Sequence, residues 1–340
     1  HPVVFPGAAT LILIFVGLAA SDPEWMGHTF NSIQAWIVRN FSWLYILAMS
    51  GFLILAVRLG LGRYAHIRLG PDDEGPEFST PTWFAMLFSA GMGIGLLFYS
   101  VAEPLYHFNE PPIGEGGTLA AARNAMGLTP FHWGLHPWAI YALVALALAY
   151  FGFRRGLPLS FRSVFYPLIG ERIHGWPGHI IDILACVATL FGVATSLGLG
   201  SMQVNAGLNY LFGLALDTKV QVALIAVITT MATLSVVTGL HRGIRRLSEV
   251  NMSLMALLLV FVLLVGPSVF LLHAFVENIG AYLQHLPHNS FWTATFTEEA
   301  GDAWLGSWTV FYWGWWIAWS PFVGMFIARV SKGRTIQEFI

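Results

Sequence analysis

Long apolar stretches repeat along the whole chain and constrain its fold more than any other feature. Eight of them have about 20 residues each, the length of a helix that crosses the hydrocarbon core of a bilayer. Backbone groups in lipid must be satisfied within their own segment, and no alternating barrel pattern is present, so helices are predicted. The stretches are Val3–Ala20, Phe41–Leu61, Thr80–Val101, Leu135–Phe153, Ile180–Leu199, Val220–Leu240, Met252–Phe270 and Trp308–Ile327.

Charged residues are too scarce to cover the surface of a soluble protein. They make up 10% of the 340 residues, whereas soluble domains have about 25%. The sequence therefore predicts an all-α polytopic membrane protein in contact with membrane lipid. The net charge of −2 indicates no nucleic-acid partner. The stretches contain no catalytic triad, carboxylate pair or Cys/His cluster, so we expect neither an enzyme nor a bound cofactor.

The basic residues are distributed unevenly between the two sides of the predicted helices. Of the 16 Lys and Arg residues, 13 follow even-numbered stretches, and only Arg39, Arg123 and Lys219 follow odd-numbered ones. Because basic residues accumulate in cytoplasmic loops, the N-terminus should be cytoplasmic. The loop over 273–307 should lie outside, and we expect an interfacial helix around Phe291–Trp304.

Three glycines alternate in the third stretch: Gly91, Gly93 and Gly95. Each destabilises a helix by roughly 1 kcal/mol relative to Ala, which favours local unwinding. Interrupted helices of this kind bind the cargo of secondary transporters. The spacing of Gly91 and Gly95 fits equally well a small-residue seam between two packed helices.

Aromatic residues open the fourth stretch. Trp138 and Tyr141 are three residues apart and share a helix face, with Trp133 one turn away. Such residues form either the interfacial belt of a membrane protein or the wall of a cavity, and both interpretations remain open. His132 and His136 have the spacing of a metal pair, but neither has a carboxylate or thiol near it in the sequence.

The eighth stretch has an aromatic stripe at helical spacing. Its first and last members are 11 positions apart, about 16 Å along a helix, which is too long for an interfacial belt and favours the lining of a cavity. Aromatic faces attract cations, and a quaternary ammonium suits them because it has no N–H group to satisfy. No acidic residue lies in the middle of a stretch, and Glu103 and Asp182 lie at the ends, so we expect no buried counter-ion. The stripe is formed by Trp308, Tyr312, Trp315, Trp316 and Trp319.

Four segments resemble signatures of the betaine/choline/carnitine transporter family. They are Gly91–Gly95 with Glu103–His107, then His132–Tyr141, then Gly198–Gly200 with Gln203, and finally Trp308–Ile340. The resemblance implies a LeuT-like inverted-repeat transporter of about twelve helices, truncated here after the eighth. Two peripheral helices and a cytoplasmic loop would occupy 1–79, the first five-helix repeat 80–272, an outer loop with an amphipathic helix 273–307, and the first helix of the second repeat 308–340.

The resemblance also implies the binding residues. A trimethylammonium group would lie among Trp133, Trp138, Tyr141 and Trp316, with Trp315 and Trp319 on the pathway. The glycine run would contact the substrate through Gly91, Met92, Gly93 and Gly95. Some choline carriers have Asp at the position of Gly95, so a zwitterion such as glycine betaine is favoured. Sodium as coupling ion would contact carbonyl oxygens near Ser89 and Met92 at one site, together with hydroxyls of a later helix of the family. It would contact Thr189 and Phe322 at another, where Val193 replaces a family threonine.

These expectations lead to one main hypothesis and several alternatives. The main one is a sodium-coupled glycine betaine symporter, present as a homotrimer in a bacterial inner membrane. The alternative is a sodium-independent carnitine/betaine antiporter or a proton-coupled choline carrier, which the missing threonine keeps open. A ligand-binding channel or sensor is disfavoured because the chain has neither a charged ring nor a carbonyl filter repeat.

Overall fold

The computed structural model describes residues 1–91, 93–237, 245–297 and 299–340, and the described part of the chain is helical apart from loops and one isolated bridge between Arg68 and Thr335. Single π-helical turns at Tyr150–Arg154 and Gly306–Val310 flank two of the helices. The α-helices are α1 (Val4–Ser21), α2 (Pro23–Leu61), α3 (Thr80–Gly91), α4 (Ile94–Asn109), α5 (Leu119–Trp133), α6 (Leu135–Ala149), α7 (Phe161–Val164), α8 (Tyr166–Ile169), α9 (Trp176–Phe212), α10 (Thr218–Val237), α11 (Arg245–Val265), α12 (Ser268–Phe291), α13 (Glu299–Leu305), α14 (Phe311–Val330) and α15 (Ile336–Phe339).

Six helical segments among the described residues are long and apolar enough to cross a bilayer. α10 buries no residue and α11 buries only Ser248, so their many apolar side chains point away from the rest of the protein. Such surfaces are stable against lipid and not against water. The prediction of an all-α polytopic membrane protein is therefore confirmed. The six segments are Val4–Ser21, Pro23–Leu61, Leu119–Arg154, Trp176–Phe212, Thr218–Val237 and Arg245–Val265.

The third predicted stretch is not one continuous helix. α3 ends at Gly91 and α4 begins at Ile94, and between them Gly93 has an extended backbone with φ −87° and ψ −175°. The unwinding that the alternating glycines favoured is present at Gly93. A helix seam made by Gly91 and Gly95 requires one continuous helix, so that interpretation is wrong. Met92 lies outside the described residues.

Two other predicted boundaries differ from the structure. α2 begins at Pro23, where the Asp22 side chain accepts a hydrogen bond from the Trp25 backbone N–H at 2.9 Å. The helix is therefore 39 residues long and extends well beyond the predicted Phe41–Leu61. The interfacial helix expected around Phe291–Trp304 is wrong, because α12 already ends at Phe291 and the next described helix is only the short α13.

α14 is the central helix and contacts α2, α3, α6 and α9. Its closest neighbour is α6, which it approaches at Gly324. A Cβ atom at Gly324 would overlap the Val144 side chain and lie 3.3 Å from the Ala145 backbone nitrogen. The absence of a side chain at this position therefore sets the separation of the two helices that carry most of the predicted aromatic residues.

The loop after α2 is joined to the segment after α14 by backbone and side-chain contacts, which we call the junction (residues 65–83 against 331–337). The Leu69 N–H donates to the Arg334 carbonyl oxygen at 2.8 Å, and the Gly333 N–H donates to the Leu69 carbonyl oxygen at 2.9 Å. The Arg334 guanidinium lies 4.0 Å from the centre of the Trp83 ring, and the Trp83 indole donates to the Ser331 hydroxyl at 2.9 Å. The start of α3 and the end of α14 are thereby held together.

Ion pairs surround the junction. Each lies at a partly exposed surface, where a single ion pair contributes little to stability. The hydrogen bond from Arg154 lowers the pKa of the Asp72 carboxyl group. The pairs are Arg154–Asp72 at 2.7 Å, Arg329–Glu77 at 2.6 Å and Lys332–Glu74 at 2.8 Å.

We expect Gly324→Ala to destabilise the protein, since the added methyl group meets Val144 and overpacking of this kind costs about 1–3 kcal/mol. The measurement is thermal unfolding of the purified protein in detergent. Gly17→Ala is the control, because a Cβ atom at Gly17 in α1 meets nothing within 4 Å. Equal melting temperatures for the two variants would contradict the packing described for α6 and α14.

Candidate functional site

The corner between α5 and α6 places the first aromatic residues of the site. Trp133 ends α5 and Gly134 separates it from α6. A Cβ atom at Gly134 would lie 2.5 Å from the Pro130 carbonyl oxygen and 2.8 Å from the Tyr282 hydroxyl, so only glycine fits without a shift. The same hydroxyl accepts a hydrogen bond from the Leu135 N–H at 3.0 Å and satisfies a free donor at the start of α6.

The four residues predicted to surround an ammonium group lie together, joined by three successive ring contacts. Trp133 and Trp316 have centroids 4.9 Å apart and planes at 84°. Trp316 and Tyr141 are 5.8 Å apart at 89°, and Tyr141 and Trp138 are 6.2 Å apart at 90°. We call Trp133, Trp138, Tyr141 and Trp316 the aromatic box. The planes of successive rings are thus close to perpendicular, as adjacent walls of a box are.

The two predicted pathway residues occupy different surroundings. Trp315 stacks on Trp316 with centroids 5.6 Å apart and planes at 10°, so it extends one wall of the aromatic box. Trp319 instead lies against α9, where its indole donates to the Ser196 hydroxyl at 2.9 Å. A Cβ atom at Gly192 would lie 3.2 Å from that indole ring, so the absence of a side chain at Gly192 leaves room for Trp319.

α4 brings a further ring to this region from beyond the break at Gly93. Tyr99 lies 6.2 Å from Trp133, 5.6 Å from Tyr312 and 6.3 Å from Trp315, measured between ring centroids. The broken helix and the aromatic residues of α5 and α14 therefore form one continuous region. The sequence did not single out Tyr99 as a site residue.

A buried carboxylate lies directly behind the aromatic box. Glu103 has no solvent-exposed surface, and its Oε2 atom accepts hydrogen bonds from the Trp133 indole at 2.7 Å and the Tyr312 hydroxyl at 2.6 Å. Its Oε1 atom lies 2.6 Å from His132 Nδ1 and 3.1 Å from His107 Nε2. The expectation that the protein has no buried counter-ion is therefore wrong.

The reason for this error lies in the end of α4. Glu103 and Pro104 look like the end of a helix, and the predicted stretch stops at Val101, but α4 continues to Asn109. When the helix is continued to Asn109, Tyr99, Glu103 and His107 follow one another at intervals of four residues on a single helix face. This regular spacing was the signal in the sequence for the buried cluster.

The histidine pair that suggested a metal does not act as a pair. His132 Nε2 lies 2.9 Å from the Thr309 hydroxyl, whereas His136 Nε2 lies 3.1 Å from the Ser290 hydroxyl. Ligand atoms of Glu103, His107 and His132 instead lie within 4.8 Å of one another. Hydrogen bonds already account for the atoms that a metal would need, so this cluster is better described as a hydrogen-bond network.

The residues predicted to contact sodium are less well defined. Ser89 on α3 lies 3.4 Å from the Ser248 carbonyl oxygen of α11, a long hydrogen bond. Thr189 on α9 is partly buried, and Phe322 on α14 is 50% exposed. Met92 is not among the described residues. The sodium assignments therefore stay predictions.

Comparison with known proteins gives a consistent result. A family model described as "BCCT, betaine/carnitine/choline family transporter" matches residues 3–340. A probable glycine betaine transporter of Desulfitobacterium hafniense is 49% identical over 98% of this chain and 66% of its own length. A glycine betaine transporter of Bacillus subtilis is 49% identical over 94% and 62%, and an osmo-dependent choline transporter of Acinetobacter baylyi is 46% identical over 99% and 49%. The chain thus spans half to two thirds of these relatives.

We expect Tyr312→Phe to lower the melting temperature of the protein. The change removes a hydrogen bond to a buried charged group, which contributes about 1.5–3 kcal/mol. Tyr106→Phe is the matched control, because the side chain of Tyr106 on α4 is exposed. Thermal unfolding in detergent measures both. A Tyr312→Phe protein as stable as the control would contradict the role of the phenol in the network.

Proposed function

Because the chain belongs to the betaine/carnitine/choline family of transporters, we propose that it is part of a secondary active transporter that imports a quaternary-ammonium solute, with glycine betaine as the first candidate. The single observation that carries the proposal is the aromatic box, in which four rings from α5, α6 and α14 meet at right angles. The substrate is moved chemically unchanged, so the protein is not an enzyme.

The aromatic box suits a trimethylammonium group because of its chemistry and its burial. Trp316 and Tyr141 are almost completely removed from solvent, and cation–π attraction in desolvated sites reaches about 2 kcal/mol or more. A primary ammonium has three N–H donors, and aromatic ring faces are poor hydrogen-bond acceptors for them. A quaternary ammonium has no such donors, and its methyl groups pack against the rings.

The broken third span supplies the second half of the binding site in this proposal. The N-terminus of α4 has no side-chain cap at Gly93, so its first backbone N–H groups are available to an anion. Broken helices of transporters use such ends to bind substrate carboxylates. A zwitterion would place its carboxylate at Gly93 and Gly95 and its ammonium group in the aromatic box, which favours glycine betaine over choline.

Sodium symport is the coupling mechanism we favour, with Ser89 and Met92 at one site and Thr189 and Phe322 at the other. Ser89 lies in the last turn of α3 beside the break, where freed backbone oxygens would complete a hard-cation site. Val193 offers no oxygen to the second site, which supports the alternative of a sodium-independent carnitine/betaine antiporter or a proton-coupled choline carrier. The protein would act by alternating access, as a homotrimer in a bacterial inner membrane with a cytoplasmic N-terminus.

Uptake of radiolabelled glycine betaine into proteoliposomes that contain the full-length protein tests transport. We expect uptake above that of empty vesicles, stimulated by an inward sodium gradient and not by an equal potassium gradient. Uptake that ignores sodium but follows a pH gradient or internal carnitine would favour the alternatives. No uptake of glycine betaine, choline or carnitine would contradict the proposed function.

Trp316→Leu should weaken glycine betaine binding at least about tenfold, since it removes the ring that contacts both Trp133 and Tyr141. Isothermal titration calorimetry on the full-length protein measures the dissociation constant. Trp25→Leu is the control, because Trp25 in α2 is 55% exposed and lies outside the aromatic box. Equal affinities of the two variants would show that the aromatic box is not the binding site.

Ser89→Ala should raise the sodium concentration required for half-maximal uptake several-fold, with little change in the maximal rate at saturating sodium. The proposed ligands are backbone carbonyl oxygens near Ser89 and Met92. The Ser89 hydroxyl donates to the Ser248 carbonyl oxygen of α11 at 3.4 Å, so its loss loosens the end of α3 that positions these carbonyls. Ser100→Ala is the matched control, since that hydroxyl is exposed and bonds only the Leu97 carbonyl oxygen of its own helix. An unchanged sodium dependence in Ser89→Ala would show that the Ser89 hydroxyl does not hold the sodium site in place.

A further inference from the structure

We propose that Glu103 is a specificity-determining residue: through Trp133 and Tyr312, its buried carboxylate makes the aromatic box prefer a cation over a neutral group of the same shape. The inference rests on the proposed function, because it assigns a role in substrate selection to a side chain that does not touch the substrate. Glu103 would act as an indirect counter-ion behind the wall of the box.

The hydrogen bonds define the charge of Glu103. The two partners of Oε2 are an indole N–H and a phenol, and the indole N–H has no acceptor function, so it must donate. The two partners of Oε1 are ring nitrogens of His132 and His107. The phenol and the two imidazole rings can each donate as well, and four donors around two oxygens match the acceptor capacity of an ionised carboxylate.

The two histidines do not need to carry a compensating positive charge. His107 donates from Nε2, and its buried Nδ1 has no hydrogen-bond partner, so a second proton there would leave a buried N–H unsatisfied. His132 donates from Nδ1, and its Nε2 faces the Thr309 hydroxyl, which has a proton to give. Within the described part of the chain, the ion-pair contacts of Glu103 are to these two residues alone. Among the described residues, therefore, no Lys or Arg side chain forms an ion pair with this carboxylate.

Trp133 is the wall of the aromatic box that contacts this charge directly. One edge of its indole donates to Glu103, and the ring contacts Trp316 at 4.9 Å between centroids. Donation of the N–H to a carboxylate shifts electron density towards the ring and makes its faces more attractive to a cation. Tyr312 extends the effect, because its ring lies nearly parallel to Trp316 at 14° and 6.4 Å.

The surroundings make the effect large enough to decide specificity. Coulomb interactions weaken slowly with distance where water is excluded, and every member of the cluster is buried or nearly so. A buried negative charge without a cation is costly, and a bound ammonium group offsets part of that cost. A neutral group of the same size fills the box but gains nothing from Glu103.

Two ligands that differ only in charge distinguish this role from a structural one. Glycine betaine and 3,3-dimethylbutanoate have the same shape and the same carboxylate, with carbon in place of the quaternary nitrogen in the second. Calorimetry on the full-length protein gives both dissociation constants. We expect Glu103→Gln, which keeps the size of the side chain, to weaken glycine betaine binding about tenfold and to change 3,3-dimethylbutanoate binding less than twofold.

The controls separate the possible outcomes. Glu110→Gln removes an exposed carboxylate just after the same helix and should alter neither constant. If Glu103→Gln does not fold, Trp133→Phe keeps an aromatic face but removes the N–H link, and it should lower the preference for glycine betaine in the same way. Equal losses for both ligands, or no loss for either, would overturn the proposal. Failure of the unmodified protein to bind glycine betaine would instead contradict the proposed function.

Discussion

A single buried carboxylate joins three helices at the centre of the protein. Glu103 on α4 accepts hydrogen bonds from side chains of α5 and α14. Removing a charge from water is unfavourable by several kcal/mol unless its lone pairs are satisfied, so the donors have to stay in place. The positions of Trp133, His132 and Tyr312 are therefore coupled to one another. Loss of any one of these donors leaves a lone pair of the buried Glu103 carboxylate unsatisfied, at the same desolvation cost.

The two halves of the broken third span differ in their partners as a result. α4 contacts α5 and α9, and its carboxylate bonds Tyr312 of α14, whereas α3 contacts α11 and packs against α14. Gly93, extended between them, allows one half to change its direction without breaking hydrogen bonds inside the other half. A continuous helix would transmit any movement along its whole length. The glycine run thus separates a part fixed by electrostatics from a part held mainly by packing.

Much of this arrangement was predictable from the sequence, and particular residues explain the rest. The apolar stretches predicted the helices, and the resemblance to the transporter family predicted that Trp133, Tyr141 and Trp316 surround one group. The carboxylate was missed because Pro104 looks like a helix end, whereas the helix continues through it. Local patterns also say nothing about which residues of distant segments meet. The contact between Glu103 and Tyr312 joins positions 209 residues apart, and only the packing of α4 against α14 reveals it.

The junction at the far end of α14 has a mechanical consequence. Its backbone hydrogen bonds and the Arg334–Trp83 contact fix that end of the helix, which makes it a fulcrum. Trp316 lies 14 residues before the helix ends at Val330, a lever arm of roughly 21 Å. A tilt of about 5° around the fulcrum moves the Trp316 ring by roughly 2 Å. A displacement of that size would separate two rings that are in contact. A tilt of α14 too small to alter the fold would therefore be sufficient to open or close the aromatic box.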